Sequence, residues 1–189
     1  TAPETGDTSW TDVEKAGKLV VGASFDYPPF EFYTEDFEQT GYDVALINEI
    51  GDLLGVDVEI NDMAFDGLGD ALMLGQIDTA VSAISVTDAR EAIIDFSNVY
   101  YVSEDGILAQ KWMQMQPITT PEQIVNLRVG VQRGSAFADW IQDELIATEK
   151  MSESNLFVYL QADDALRDLR QNRLDIIIGD LLPAKVALN

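Results

Sequence analysis

The chain of 189 residues contains no cysteine and no histidine. The first absence removes disulfides and thiol nucleophiles. The second removes Ser-His-Asp catalysis, and the two together remove the usual zinc sites. Cations are scarce as well: 11 Lys and Arg stand against 34 Asp and Glu, a net charge of −23. Nucleic acid needs cations that neutralise its phosphates, so this surface is a poor partner for it. An anionic membrane face repels it for the same reason. No apolar run approaches the ~18 residues that span a bilayer. The longest candidates are Ala80 to Val86, relieved by two serines, and Leu174 to Gly179, broken by Asp175. The phosphate loop GxxxxGK is absent, and nothing in the sequence calls for a cofactor. A calcium loop begun at Asp36 fails at its twelfth position, which is Ile47 instead of an acid. The stretch Glu35 to Asp43 therefore reads as a solvated acidic loop.

What is present is the composition of a globular chain, 47% hydrophobic and 24% charged. The opening TAPETGDTSWT is small and polar and lacks the basic-then-apolar pattern of a signal peptide, so residues 1–16 read as a flexible lead-in. Strand and helix signals then alternate. Leu19 to Ser24 is a short valine-rich run, Tyr42 to Leu54 has helical periodicity closed by Gly55, and Val56 to Ile60 alternates. A helix over Phe65 to Leu74, a strand over Ile77 to Ser82 and a short helix capped at Thr87-Asp88 complete the first set. The order repeats with a strand at Leu127 to Gly130, a helix at Ala136 to Ala147 and a strand at Leu156 to Leu160. A helix at Asp163 to Leu169 and a strand at Leu174 to Gly179 follow. Alternation of this kind predicts parallel sheets covered on both faces, here as two α/β lobes. The expected boundaries are 17–107 for lobe one, 108–121 for the crossover and 122–189 for lobe two. Ligands of such sheets sit at the carboxyl ends of the strands, so the two sets predict a cleft between the lobes.

Arg90 is the sharpest signal: between Leu19 and Gln110 it is the only cation among 19 acidic residues. A surface ion pair is the plainer reading. Its place after Ser82-Ala-Ile-Ser85-Val-Thr-Asp-Ala, a strand end running into a helix start, favours anion binding instead. A planar guanidinium fork bonds both oxygens of a carboxylate. The second lobe has a counterpart in Gly130-Val-Gln-Arg-Gly134-Ser135, a glycine turn that either simply turns or points its N–H groups into the cleft. Asp180 follows a strand where it opens into the cleft. A carboxylate held at Arg90 would leave Asp180 as the partner of an ammonium, since a buried zwitterion needs both charges met. Tyr27, Phe30 and Phe65 are core aromatics or, for Tyr27 and Phe65, pocket walls.

With these residues in view, the chain resembles the polar-amino-acid-binding proteins of bacterial ABC importers, relatives of glutamine- and lysine/arginine/ornithine-binding proteins. The matching stretches are LVVGASFDYPPFEF, GYDVALINEIGDLLGVDVE, AFDGLGDALMLGQIDTAVSAISVTDAR, IDFSNVYY, LRVGVQRGS and LDIIIGD, over roughly residues 17–188. The resemblance implies the type II periplasmic-binding-protein fold. It also implies a non-catalytic function, capture of a free amino acid by lobe closure and delivery to a membrane permease outside the cytoplasm. By position, Arg90 and the Ser85 hydroxyl would clasp the α-carboxylate, with the N–H groups around Ser135 and Ala136 closing on it. Asp180 and the carbonyl near Ala83 would take the ammonium. Tyr27 and Phe65 would sandwich the side chain, with Ser24, Ser82, Gln132 and Phe137 as variable contacts. Three departures stand out. Ser24 replaces a frequent aspartate, Ala136 replaces a frequent threonine, and the sequence stops soon after Asp180 where family members continue. The last implies a truncated chain with an exposed sheet edge, prone to pairing or swapping into a dimer. A neutral polar ligand is expected, with arginine kept open because Asp26 and Glu31 are nearby in sequence. A receptor sensor domain, with its anchor beyond this chain, and a dehydratase-like enzyme are the alternatives. The acidity itself suggests a surface suited to high salt.

Overall fold

The computed structural model describes residues 8–188. In the first half lie α1 (Ser9–Ala16), β1 (Lys18–Ala23), β2 (Asp26–Tyr27), β3 (Glu31–Tyr33), β4 (Gln39–Thr40) and α2 (Tyr42–Leu54). They are followed by β5 (Asp57–Asp62), α3 (Leu68–Met73), β6 (Thr79–Ala80) and α4 (Asp88–Glu91). The second half holds β7 (Asp105–Ala109), β8 (Val129–Gln132), α5 (Ala136–Ile141), β9 (Leu156–Tyr159), α6 (Ala162–Arg170), β10 (Ile176–Asp180) and α7 (Leu181–Val186).

Lobe one is built on a parallel sheet of order β5-β1-β6. Its central strand β1 is buried, with Val21 and Ala23 fully inaccessible, as expected for a strand covered on both faces. Val13 of α1 packs with Leu19, Val21, Ile47 and Val81. On the other side Leu68, Ala71 and Ile77 gather around α3. Lobe two is a four-stranded sheet of order β7-β10-β8-β9, parallel except for β7, which runs antiparallel to β10. Val129, Val131, Ile141 and Ile176 are fully buried in its core. Each such side chain contributes about 1.5–3 kcal/mol on leaving water. A second cluster, Leu108, Ala165, Leu169 and Leu174, lies under α6 and α7.

The structure corrects several expectations. The lead-in is not flexible over its whole length: Ser9–Ala16 is helical because Val13 finds a core to enter. Residues 1–7 lie outside the described residues. The boundary drawn at 107/108 cuts through β7, which pairs with β10 across Ala109↔Ile176 to Asp105↔Asp180. The chain has therefore already entered lobe two by Asp105. The stretch Glu35 to Asp43 is not wholly a solvated loop. Gln39–Thr40 joins the small antiparallel sheet β2-β3-β4, and Asp43 is fully buried at the start of α2. The single helix expected over Ala136 to Ala147 is an α-helical segment followed by a π-helical turn over Gln142–Ile146.

Candidate functional site

The carboxyl ends of the two sheets face one another across a cavity of about 480 Å³. From lobe one it is lined by Asp26, Tyr27, Glu31, Phe65, Ser82, Ala83, Ser85 and Arg90. From lobe two come Gln132, Ser135, Ala136, Phe137, Ala162, Asp163, Gly179 and Asp180, and the cavity continues between α6 and α7 past Leu108, Arg167 and Arg170. Of the residues chosen from sequence, only Ser24 does not line it. Ser24 is buried behind Asp26, donating its hydroxyl to Asp26 Oδ1 at 3.0 Å. The β1–β2 connection turns there, so the carboxylate two residues on reaches the cavity and the hydroxyl supports it.

Arg90 is positioned by the start of α4. Thr87 caps that helix, its Oγ1 accepting the Arg90 N–H at 3.3 Å. The guanidinium stands 5.6 Å from the Phe65 ring centroid, within cation–π range. Its nitrogens donate to the Ser85 carbonyl at 2.6 Å and, from the opposite lobe, to the Gly134 carbonyl at 2.9 Å. It is the Ser85 carbonyl, not its hydroxyl, that meets the arginine. Among the described residues Arg90 forms no ion pair. Burial lowers its affinity for the proton below that of a free arginine. Arg90 is thus a half-buried cation held by carbonyls, with no carboxylate of the described residues within ion-pair distance.

Across the cavity, the Tyr27 hydroxyl donates to Asp180 Oδ2 at 2.7 Å and accepts from the Asp180 N–H at 3.1 Å. Tyr27 is therefore more than a wall: it aims the carboxylate at the end of β10. Burial, and then the Asp180 charge, push its hydroxyl far above the ordinary tyrosine range, so it stays a donor. Ser135 uses its hydroxyl to cap α5, accepting from Ala138 N–H at 3.2 Å and donating to the Gln132 carbonyl at 2.8 Å. Its own N–H closes a turn on Gln132 at 3.3 Å. Ser82 is likewise committed within the protein, accepting from the Ser24 N–H at 3.0 Å and donating to Glu31 Oε1 at 2.8 Å.

The residues with the least weight in the sequence are the buried acids. Asp26 is only 7% exposed and crosses the cleft. It accepts from the Gln132 amide, at 3.2 Å to Oδ2, and from the Ala162 N–H at the start of α6. Burial raises its pKa above the usual carboxylate range. The place of Asp26 and Glu31 in SFDYPPFEF kept a cationic ligand open, but nothing in that string shows that either acid is buried. Only the turn after β1 and the β2-β3 hairpin bring them inward.

Two α/β lobes therefore face each other across a cavity at their strand ends that is lined by cationic and anionic groups. The model of the bacterial extracellular solute-binding proteins, family 3, matches residues 19–155, and the chain belongs to that family. It is 28% identical over 172 residues to an L-cystine-binding protein of Escherichia coli strain K12, covering 91% of this chain and 62% of that one. It is 32% identical over 167 residues to a probable histidine-binding protein of Campylobacter jejuni, covering 88% and 61%. The chain thus spans a little over three fifths of the length of these relatives. Among solved structures, the arginine-bound form of truncated ArgBP from T. maritima superposes with a TM-score of 0.83 at 32% identity, covering 93% of this chain and 79% of that one.

Proposed function

We propose that the chain captures one free α-amino acid by closure of its two lobes outside the cytoplasmic membrane and hands it to the permease of an ABC importer. The observation that carries this is the unpaired Arg90 opposite the Tyr27–Asp180 pair within one cavity. Arg90 takes the α-carboxylate in its fork, with the α5 start closing from lobe two. Asp180, aimed by Tyr27, takes the α-ammonium, together with the Ala83 carbonyl. The ligand leaves as it came, without turnover.

The side chain then points toward Asp26. A buried carboxylate whose pKa is raised by burial is relieved by a cation. This supports a positively charged side chain, a guanidinium above all, over the neutral polar one expected from Ser24, Ser82 and Gln132. Ser24 is out of the cavity, and Ser82 is held by Glu31.

A thermal-shift panel of the twenty amino acids with ornithine and citrulline tests both parts. A ligand at about 100 times its Kd stabilises by about 2.7 kcal/mol. For a chain of this size that is a rise of roughly 5 to 10 °C in Tm. Arginine is expected to lead. A flat panel overturns amino-acid capture. Citrulline, the uncharged isostere of arginine, equalling arginine overturns the charge at Asp26 and leaves capture standing.

A further inference from the structure

Among the described residues, two buried side-chain atoms have no hydrogen-bond partner: Glu31 Oε2 and Asp43 Oδ1. They belong to carboxyl groups within hydrogen-bond reach of each other. Glu31 is 1% exposed and Asp43 fully buried. Their approach is built into the backbone. The first turn of α2 backs onto the β2–β3 hairpin, with the Tyr42 and Asp43 N–H groups donating to the Pro29 and Phe30 carbonyls at 2.9 Å. Gly41 permits it, since a β-carbon there would lie 2.1 Å from the Phe30 carbonyl oxygen. Two ionised carboxylates held this way would repel in a medium of low dielectric, and each would keep an unsatisfied oxygen. One proton between them removes both faults.

The remaining partners say where that proton sits. Asp43 Oδ2 accepts from the Ala83 N–H at 2.7 Å and from the Tyr100 hydroxyl at 2.9 Å, the environment of an anion. Glu31 Oε1 accepts a single hydroxyl, from Ser82. We propose that Glu31 and Asp43 share one proton, carried on Glu31 Oε2 and donated to Asp43 Oδ1. The pair is a positioning device: it fixes the Ser82–Ala83 turn on the wall of the cleft. Ala83 has φ +46, a left-handed conformation unfavourable for a residue with a β-carbon. That conformation holds because Glu31 anchors the residue before it and Asp43 anchors its own N–H. The turn's bearing on a ligand rests on the amino-acid reading above; the shared proton does not.

The titratable groups facing Glu31 are all acids: Asp43 from α2, Asp26 and Tyr27 from β2, and Tyr100 from the segment between the lobes. Burial first, and the Asp43 charge second, push Glu31 up to about 10. Between the ordinary glutamate range and about 10, the folded chain keeps a proton that the unfolded chain has released. The contribution of this group to stability therefore falls as pH rises through that window, by up to about one proton's worth of slope, and levels above it.

Infrared spectra in heavy water at neutral pH test the proton directly. Wild type is expected to show a carboxylic-acid carbonyl band that is missing from E31Q. Asp26 is common to both and cancels in the difference. The stability of E31Q relative to wild type is expected to rise with pH over the same window. No band lost in E31Q, with a stability difference independent of pH, overturns the shared proton. For positioning, E31A is expected to weaken amino-acid binding about tenfold, with E31Q recovering most of it because the donor to Asp43 is retained. E31A binding as wild type overturns the positioning role. If wild type itself binds no amino acid, the functional reading fails while the infrared result stands.

Discussion

Among the described residues the Arg90 guanidinium forms no ion pair, which supports the proposal that it receives a ligand's carboxylate. Its hydrogen bonds among the described residues go to carbonyls, Ser85 from its own lobe and Gly134 from the other. Carbonyls orient a guanidinium without neutralising it, so the fork keeps its charge for a guest. Arg90→Ala is expected to weaken amino-acid binding by about 30-fold or more, since removing one member of a desolvated charge pair costs about 2–5 kcal/mol. Titration calorimetry measures it, and binding within about threefold of wild type would remove Arg90 from the site. The sequence already singled this residue out, because a lone cation in an acidic half is visible without coordinates. Asp26 and Glu31 were not legible in the same way. Their position near Tyr27 kept arginine open as a ligand, but among thirty-four acids the sequence does not show which are buried.

The elements most responsible for the site are the connections after strands. In lobe two, β8 ends in the turn Gln132 to Ser135 before α5, and Gly134 adopts φ +71 there. A β-carbon on Gly134 would lie 2.8 Å from Asp66 Cβ in lobe one. The same corner holds the Arg133–Asp66 ion pair at 3.7 Å and the Arg90 bond to the Gly134 carbonyl. Gly134→Ala therefore strains the turn and separates the lobes where they touch. It is expected to reduce ligand affinity about tenfold, roughly 1.4 kcal/mol. Small-angle scattering should show less contraction with ligand than wild type. Unchanged affinity and contraction would show that closure does not pass through this contact.

Over the whole molecule, charge is the strongest collective influence. A net of −23 on a chain of 189 residues repels itself in the folded state. Ion pairs among the described residues, such as Lys18–Glu59 at 2.7 Å and Arg167–Asp164, are mostly exposed, and pairs of that kind contribute little. Raising salt from about 0.1 M to 1 M shortens the screening length from about 10 Å to about 3 Å. Stability is expected to rise by on the order of 1–2 kcal/mol, a Tm gain of about 2–8 °C by calorimetry. A Tm indifferent to sodium chloride would show that the acids are spaced widely enough not to matter.

Sequence by itself determined the alternation of strands and helices, the two parallel-sheet lobes, and the placement of Arg90 at a helix start and Asp180 at a strand end. These follow from local periodicity and from turn residues a few positions apart. The tertiary structure alone decided what depends on distant segments meeting. β7 joined lobe two because its partner β10 lies some seventy residues further along. Tyr27 became the aiming group of Asp180 across 153 positions of sequence. Asp43, expected in solvent at the end of an acidic stretch, was buried because α2 begins against the β2–β3 hairpin. A charge in a sequence carries no mark of the dielectric it will occupy. That is fixed only when the chain packs around it.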